Sequence, residues 1–195
     1  MDGFQRRREI KMKQILEGAL SLFLKHGVQK VSVAEIAKEA NVSQVTIYNY
    51  FENKHKLTNE VISYYIEESW LEAEELIDSD LPFPEKIKQV IYRNTKVANN
   101  IHEDFYQYLM KEYTTNNSDI NKFYADRVIP RLAEFFSIGK EQGYIDPTIS
   151  NEAIMFYLQM FSEYISKEEV SQQSHHLSEE LTKLFFYGIT GKKVE

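Results

Sequence analysis

The chain has 195 residues, a formal net charge of −7 and no cysteine, which excludes disulfides, thiol nucleophiles, iron–sulfur clusters and Cys-ligated zinc. Seven glycines and four prolines are too few for a turn-rich β architecture, so the composition favours an all-α fold. Since no apolar stretch is long enough to span a bilayer, we expect a soluble, cytoplasmic protein.

Charge is distributed unevenly along the chain. Residues 1–60 contain ten Lys and Arg against seven Asp and Glu, whereas residues 61–195 contain thirteen against twenty-three. This asymmetry indicates a small module that binds a polyanion, attached to a larger acidic body.

A first helix is predicted from Arg6 to His26, and Gly27 ends it because glycine adopts the left-handed conformation without strain. Its apolar residues recur every three or four positions, as they do on the buried face of a helix. They are Met12, Ile15, Leu16, Ala19, Leu20 and Phe23.

Two short helices follow. Ser32 and Glu35 have the spacing of a capping box at the start of a helix over 33–40. Asn41 tolerates positive φ and is predicted to end this helix. Ser43 then caps the third helix after a tight turn, and the pair predicts a helix-turn-helix.

The remaining chain is predicted to be helical, with polar or Pro-containing breaks. Asn53 is the predicted cap of a long fourth helix that ends near Ile77. Pro130 is predicted to kink or split the seventh helix, and a polar loop is expected around Ser171–Ser174. The predicted helices after the fourth cover about 84–99, 102–114, 119–141, 151–166 and 176–190, which gives about nine in all.

The short third helix carries the residues that point to a function. Ile47 and Phe51 lie four residues apart and are predicted to pack inward. The outward positions supply the donors, acceptors and methyl groups that read base edges in the major groove of DNA. They are Gln44, Val45, Thr46, Tyr48 and Asn49.

The start of the fourth helix departs from the usual charge preference. Lys54, His55 and Lys56 occupy the first turn, where the positive end of the helix dipole disfavours cations. A solvated charge cluster is the plain explanation, but beside a helix-turn-helix these residues favour a phosphate contact.

The stretch VSVAEIAKEANVSQVTIYNYFENKHKL, residues 31–57, resembles the DNA-binding signature of the TetR family of bacterial transcriptional regulators. The resemblance extends back to Phe23 and Gly27. One departure is Asn41, where the family usually has glycine, and asparagine tolerates that turn geometry.

The resemblance implies a role for each matching residue. It implies phosphate contacts by Ser32, Tyr48 and Lys54, and base contacts by Gln44, Thr46 and Asn49, with Tyr50 on the backbone or a sugar. The predicted DNA-binding residues are Ser32, Ser43, Gln44, Val45, Thr46, Tyr48, Asn49, Tyr50 and Lys54.

The resemblance also implies an overall plan. Residues 1–52 are expected to form the helix-turn-helix domain, and residues 53–195 a helical domain for ligand binding and dimerisation. The implied activity is that of a homodimer on a palindromic operator, usually a repressor, released by a small-molecule effector.

The aromatic content of the second part favours a ligand pocket, although most such residues belong to a core in helical proteins. Asn94 falls on the apolar stripe of the fifth helix, where a buried amide needs a partner, either another side chain or a ligand. The predicted pocket residues for an apolar or aromatic effector are Tyr65, Trp70, Asn94, Tyr106, Phe123, Tyr124, Phe156 and Gln159.

The last two predicted helices are apolar on more than one face and must be covered on both sides. A four-helix interface with a second copy would cover them, and a monomer that covers them with its own helices is the alternative. The predicted interface residues are Phe156, Met160, Phe161, Tyr164, Leu177, Leu181, Leu184 and Phe185.

No catalytic motif is present, and the five histidines lack metal-ligand spacing, so we expect neither an enzyme nor a metal or cofactor. Two alternatives to a ligand-responsive repressor remain. One is a DNA-binding dimer without a small-molecule inducer, controlled by a protein partner. The other is a helical interaction module that does not bind DNA.

Overall fold

The computed structural model describes residues 3–114, 119–165 and 168–190, and all regular structure in these ranges is helical. Ten α-helices and one π-helical turn follow one another along the chain. They are α1 (Gly3–His26), α2 (Val33–Glu39), α3 (Gln44–Phe51), α4 (Lys54–Asp78), α5 (Phe83–Asn100), α6 (Glu103–Thr114), α7 (Asp119–Phe123), the π-turn (Tyr124–Val128), α8 (Ile129–Glu141), α9 (Asn151–Ile165) and α10 (Glu168–Thr190). If α7, the π-turn and α8 count as one interrupted helix, the described ranges contain nine helices, which confirms the all-α prediction.

The helix boundaries in the first part of the chain follow the sequence signals. Gly27 and Asn41 both have positive φ, 81° and 52°, as predicted for the ends of the first two helices. Glu52 also has a positive φ, 59°, just after α3, which the sequence did not indicate. For α2, α4, α5 and α6 the observed ends lie within one residue of the predicted ones, whereas α1 begins at Gly3, three residues before the predicted start.

Side-chain caps define three of these helix starts. The Ser32 hydroxyl accepts a hydrogen bond from the Glu35 amide at 3.2 Å, and the Glu35 carboxylate accepts from the Ser32 amide at 2.8 Å, which completes the capping box. The Ser43 hydroxyl accepts a hydrogen bond from the Thr46 amide. The Asn53 side-chain oxygen accepts one from the amide of Lys56, the third residue of α4. All three predicted caps are therefore confirmed.

Pro130 interrupts its helix, as predicted. The π-turn over Tyr124–Val128 ends two residues before it, and the Ile129 amide donates a hydrogen bond to the Tyr124 carbonyl five residues back. A proline has no amide hydrogen, and its ring clashes with the carbonyl four residues earlier. The helical turn before the proline therefore contains one extra residue, and α8 starts with Pro130 in its first turn.

The beginning of the last helix was predicted incorrectly. Instead of a polar loop around Ser171–Ser174 and a helix from residue 176, α10 runs without a break from Glu168 to Thr190. The Ser- and Gln-rich segment lacks apolar periodicity, but a helix of 23 residues with an apolar C-terminal half extends through it. The helix extends from its apolar C-terminal half into this segment, because propagation of an existing helix outweighs the weak helix propensity of the Ser- and Gln-rich residues.

The described chain packs as two compact units. Unit 1 comprises the residues up to Ser69 together with Asn100–Tyr108, and unit 2 comprises Trp70–Asn99 and the residues from Leu109 onward. Both α4 and α6 contribute to each unit. The predicted functional division after residue 52 stays a prediction.

Each unit has its own apolar core. In unit 1 the most deeply buried side chains come from α1 to α4 and from the start of α6: Ile15, Phe23, Ile36, Ile47, Leu57, Val61, Ile62 and Phe105. In unit 2 the core cluster consists of Phe83, Ile87, Phe135, Phe136, Ile145, Ile154, Phe186 and Ile189. Burial of these side chains fixes the helices that carry the exposed candidate residues.

Candidate nucleic-acid interface

Helix α3 has one buried and one exposed face. Ile47 and Phe51 are 1% and 4% exposed, as predicted for its inward face. On the opposite face, Val45 is 67% exposed and Tyr48 46%. The side chains of Gln44 and Asn49 are exposed beside them, and that of Thr46 is half-buried. A rigidly packed short helix therefore presents amide, hydroxyl and apolar groups to solvent.

The start of α3 is held by a pair of hydroxyl groups. Ser43 Oγ accepts a hydrogen bond from the Thr46 amide at 3.0 Å and lies 2.8 Å from Thr46 Oγ1. The hydroxyl of Thr46 is thus partly engaged within the helix. Its neighbours Gln44 and Val45 project freely at the same end, which is where a helix in the major groove contacts base edges.

Ser32 is exposed at the start of α2, but its hydrogen-bonding groups are already engaged. Its amide and its hydroxyl both donate to the Glu35 carboxylate, at 2.8 and 2.7 Å. These hydrogen bonds lower the pKa of the Glu35 carboxyl. A phosphate contact through the Ser32 hydroxyl would therefore have to exchange its bond to Glu35, and the contact stays a prediction.

The Lys54 side chain is bound to the loop that joins α1 to α2. Its ammonium lies 2.6 Å from the Val28 carbonyl oxygen and 3.5 Å from that of Gln29. An ammonium has three hydrogens, so this arrangement leaves donor capacity for a phosphate. Lys54 therefore holds the loop between α1 and α2, a role that the sequence did not reveal. Its contact with a phosphate stays a prediction.

The same loop is held by residues from a distant part of the chain. The Gln29 amide donates to Asp104 Oδ2 at 2.9 Å, and the His102 amide donates to the Leu24 carbonyl at 2.9 Å. A side chain at Gly27 would lie within 3 Å of both His102 and Asp104. Sequence reasoning missed these two residues because no local pattern connects positions 75 residues apart.

Tyr50 lies half-buried at the end of α3, next to the beginning of α1. The Arg8 guanidinium carbon lies 5.8 Å from the centre of the Tyr50 ring, which is a cation–π distance. Its predicted contact with the DNA backbone or a sugar stays a prediction.

The predicted ligand-pocket residues are distributed over both units. Tyr65 and Tyr106 belong to unit 1, where the Tyr65 ring packs edge-on against Phe105 at 5.6 Å. Trp70 is buried in unit 2, and the Phe123 ring contacts Tyr124. Phe156 and Gln159 are exposed on α9, and the Asn94 side chain lies outside the described residues.

The predicted interface residues form an apolar surface on α9 and α10. Phe156 and Leu184 are each 67% exposed. Phe161, Leu181 and Phe185 are half-buried, and the other exposed members are Met160, Tyr164 and Leu177. The surface extends into an apolar groove of about 290 Å³ between the two helices. The groove is lined by Ile149, Ala153, Ile154, Tyr157, Leu184, Phe185, Gly188 and Ile189.

A metal site and a membrane span are two further features to consider in the described ranges. Over the described ranges, His, Asp and Glu side chains nowhere cluster in threes as a metal ion would require. None of the helices in the described part of the chain has the length and hydropathy of a membrane span.

Comparison with known sequences identifies the first part of the chain. Residues 15–61 match the family model described as bacterial regulatory proteins, tetR family. The chain is 34% identical over 80 residues to the HTH-type transcriptional regulator YhgD of Bacillus subtilis. That match covers 41% of this chain and 42% of YhgD, so it spans less than half of the relative.

Comparison with solved structures extends the likeness to most of the chain. FadR of Bacillus subtilis, in complex with stearoyl-CoA, is 20% identical with a TM-score of 0.59, over 91% of this chain and 98% of that one. FadR of Thermus thermophilus, described as a TetR family repressor in complex with lauroyl-CoA, is also 20% identical, with a TM-score of 0.53 over 91% and 94%. At this identity the likeness concerns the fold. Residues 15–61, which contain α2 and α3, therefore match the tetR family of bacterial regulatory proteins, and most of the chain shares its fold with these two solved structures.

Proposed function

We propose that the chain is a homodimeric transcriptional repressor that binds a palindromic DNA operator through α3 and is released by a small apolar or aromatic ligand. The observation that carries this proposal is the two-sided geometry of α3. Ile47 and Phe51 anchor one face in the core, and Gln44, Tyr48 and Asn49 are exposed on the other. Amide side chains on such a face can pair with the two major-groove groups of adenine.

The charge of the first part supports DNA as the partner. Residues 1–60, which belong to unit 1, contain ten Lys and Arg against seven Asp and Glu. The chain as a whole has a net charge of −7. Lys54 and its neighbours add positive charge at the start of α4, next to the amides of a helix N-terminus. Both features attract phosphates and make binding depend on salt.

Dimerisation follows from the geometry of a duplex. Two α3 helices can enter successive major grooves only if an interface holds them about 34–36 Å apart. The exposed apolar surface on α9 and α10 supports a self-association site, since contiguous apolar patches of this kind mark interaction surfaces. Phe156 and Leu184 lie at its most exposed points.

The aromatic side chains of unit 2 and the two FadR structures support a small apolar ligand. FadR of Bacillus subtilis and of Thermus thermophilus were solved in complex with stearoyl-CoA and lauroyl-CoA. Long-chain acyl groups are apolar, as the predicted effector is. Stearoyl-CoA is therefore the first probe for this chain.

The proposal is tested in two steps with the full-length protein. Random duplexes retained by the purified protein are sequenced, and a palindrome with two half-sites is the expected result. A collection of retained fragments without a common sequence would contradict operator binding. The protein–palindrome complex is then titrated with stearoyl-CoA, which should release the DNA and raise the unfolding temperature by mass action. Failure of this and other apolar acyl or aromatic probes to do either would favour a DNA-binding dimer without an inducer.

A further inference from the structure

The first three turns of α1 extend beyond the core of unit 1. Helix α1 begins at Gly3, but its first buried side chain is that of Ile15. Residues 3–14 are exposed apart from Lys11, which is half-buried. Burial against the core therefore explains neither the helical structure of this segment nor the choice of its side chains.

One side of this segment is basic. Lys11 follows Arg7 by four residues and Arg8 by three, so the three cations lie on one side of the helix, which we call the basic α1 face. Four residues further on, the same face carries Ile15, which is fully buried. The face that packs apolar side chains into the core thus continues past the core as a row of cations.

The basic α1 face lies next to the end of α3. Together with Phe4, its three cations line a groove of about 440 Å³, and Asn49 and Tyr50 form the other wall. The Arg8 guanidinium lies over the Tyr50 ring, with 5.8 Å between its central carbon and the ring centre. This contact fixes the basic face beside residues of α3 that are predicted to face DNA.

Two of the three cations of this face lack an internal partner. Arg7 and Lys11 make no ion pair or hydrogen bond with another residue of the described ranges. An external anion would pair with these exposed charges.

We propose that the basic α1 face is a second DNA contact, which binds backbone phosphates flanking the half-site that α3 reads. This inference rests on the proposed function of the chain. Phosphate is the chemistry that fits, because it pairs with guanidinium and ammonium groups without a sequence requirement. DNA is favoured over an anionic membrane surface because two residues of α3 form the opposite wall of the same groove.

A matched pair of double variants of the full-length protein tests the proposal. Arg7→Ala/Lys11→Ala removes two charges from the basic α1 face. Arg6→Ala/Lys13→Ala removes one Arg and one Lys from the same helix, about half a turn away. Each variant is titrated at several salt concentrations with a selected palindrome that has long flanks, and with the same palindrome trimmed at both ends.

The two variants should behave differently. Loss of two phosphate contacts per protomer should lower the salt slope by about two per half-site for Arg7→Ala/Lys11→Ala. The affinity difference from wild type per half-site should then shrink by about tenfold between roughly 50 and 200 mM salt. Trimming the flanks should weaken wild type and the control variant, and should leave Arg7→Ala/Lys11→Ala nearly unchanged.

Equal salt slopes and equal flank dependence for the two variants would overturn the second contact, even though wild type binds its palindrome. Binding to phosphatidylserine vesicles that is lost in Arg7→Ala/Lys11→Ala, with operator affinity unchanged, would overturn it in favour of a membrane surface. A wild-type protein that binds no duplex with salt dependence would contradict the proposed function itself.

Discussion

The Lys54 ammonium and the Val28 carbonyl oxygen lie 2.6 Å apart, so the first residue of α4 holds the loop that leads into α2. This loop ends four residues later at Ser32, the cap of α2. The lysine thereby links the start of α4 to the helix-turn-helix. A residue expected only at the DNA surface thus also holds the loop that leads into the helix-turn-helix.

The Lys54→Ala variant should affect both stability and DNA binding. Loss of a charge-assisted hydrogen bond to a partly exposed group should lower the free energy of unfolding by about 1 kcal/mol. Binding to operator and random DNA should weaken alike, and the salt slope should fall by about one. Denaturant unfolding and salt-dependent titration measure the two effects, with the surface variant Lys88→Ala in unit 2 as control. Unchanged affinity for random DNA and an unchanged slope would contradict the phosphate contact.

The Gln44→Ala variant should lose sequence discrimination. Gln44 is exposed at the start of α3, and its amide can pair with two groups of adenine. Specificity should relax at one symmetric pair of operator positions, with a loss of about 1–3 kcal/mol for the preferred base. A base-substitution scan checks this, with Tyr48→Phe for comparison, because loss of a phosphate contact should weaken all sequences equally. Identical scans for wild type and Gln44→Ala would refute the base contact.

The capping box of α2 should make stability depend on acid pH. Hydrogen bonds from the Ser32 side chain and amide lower the pKa of Glu35 below its ordinary value of 4.5. The ionised carboxylate therefore stabilises the fold above pH 4.5, and this contribution is lost as the pH falls through the lowered pKa. Thermal unfolding of wild type and Glu35→Gln should differ most near neutral pH and converge in acid. A difference that is constant from neutral pH into acid would contradict this assignment.

The helix-turn-helix was predictable because its determinants are local. Ser32 with Glu35, Asn41 and Ser43 each act within four residues of their partners, and the structure confirms all three signals. The apolar spacing of Ile47 and Phe51 is equally local. Short-range capping and periodicity therefore define the exposed face of α3 from sequence alone.

Two of the features that were missed depend on long-range contacts. The contacts of Lys54 with Val28 and of Asp104 with Gln29 join positions 26 and 75 residues apart. The early start of α10 has a different origin, since its polar first turns carry no periodic signal. The long-range contacts follow from the tertiary arrangement, which a local pattern does not encode.

The Leu184→Glu variant should separate folding from dimerisation. Leu184 is 67% exposed in the protomer, so the substitution should leave the fold intact. In a dimer built on α9 and α10, the carboxylate would be buried without a partner, at a cost of several kcal/mol. Sedimentation should show monomers, and operator affinity should fall although α3 is unchanged. Leu81→Glu, at an exposed apolar residue outside these helices, is the control.

A folded Leu184→Glu monomer that binds the palindrome with wild-type affinity would contradict the interface. A Leu184→Glu protein that remains dimeric would place the interface elsewhere on the chain. Phe156→Glu, at a second position of equal exposure on α9, provides an independent check of either result.

The most direct measurement is a titration of the wild-type protein with its selected palindrome and with a scrambled duplex of the same length, at several salt concentrations. A repressor that reads DNA through α3 should bind the palindrome about a thousandfold or more tightly than the scrambled duplex, and both affinities should fall steeply with salt. Equal affinities for the two duplexes, with little dependence on salt, would show that the exposed face of α3 does not read DNA.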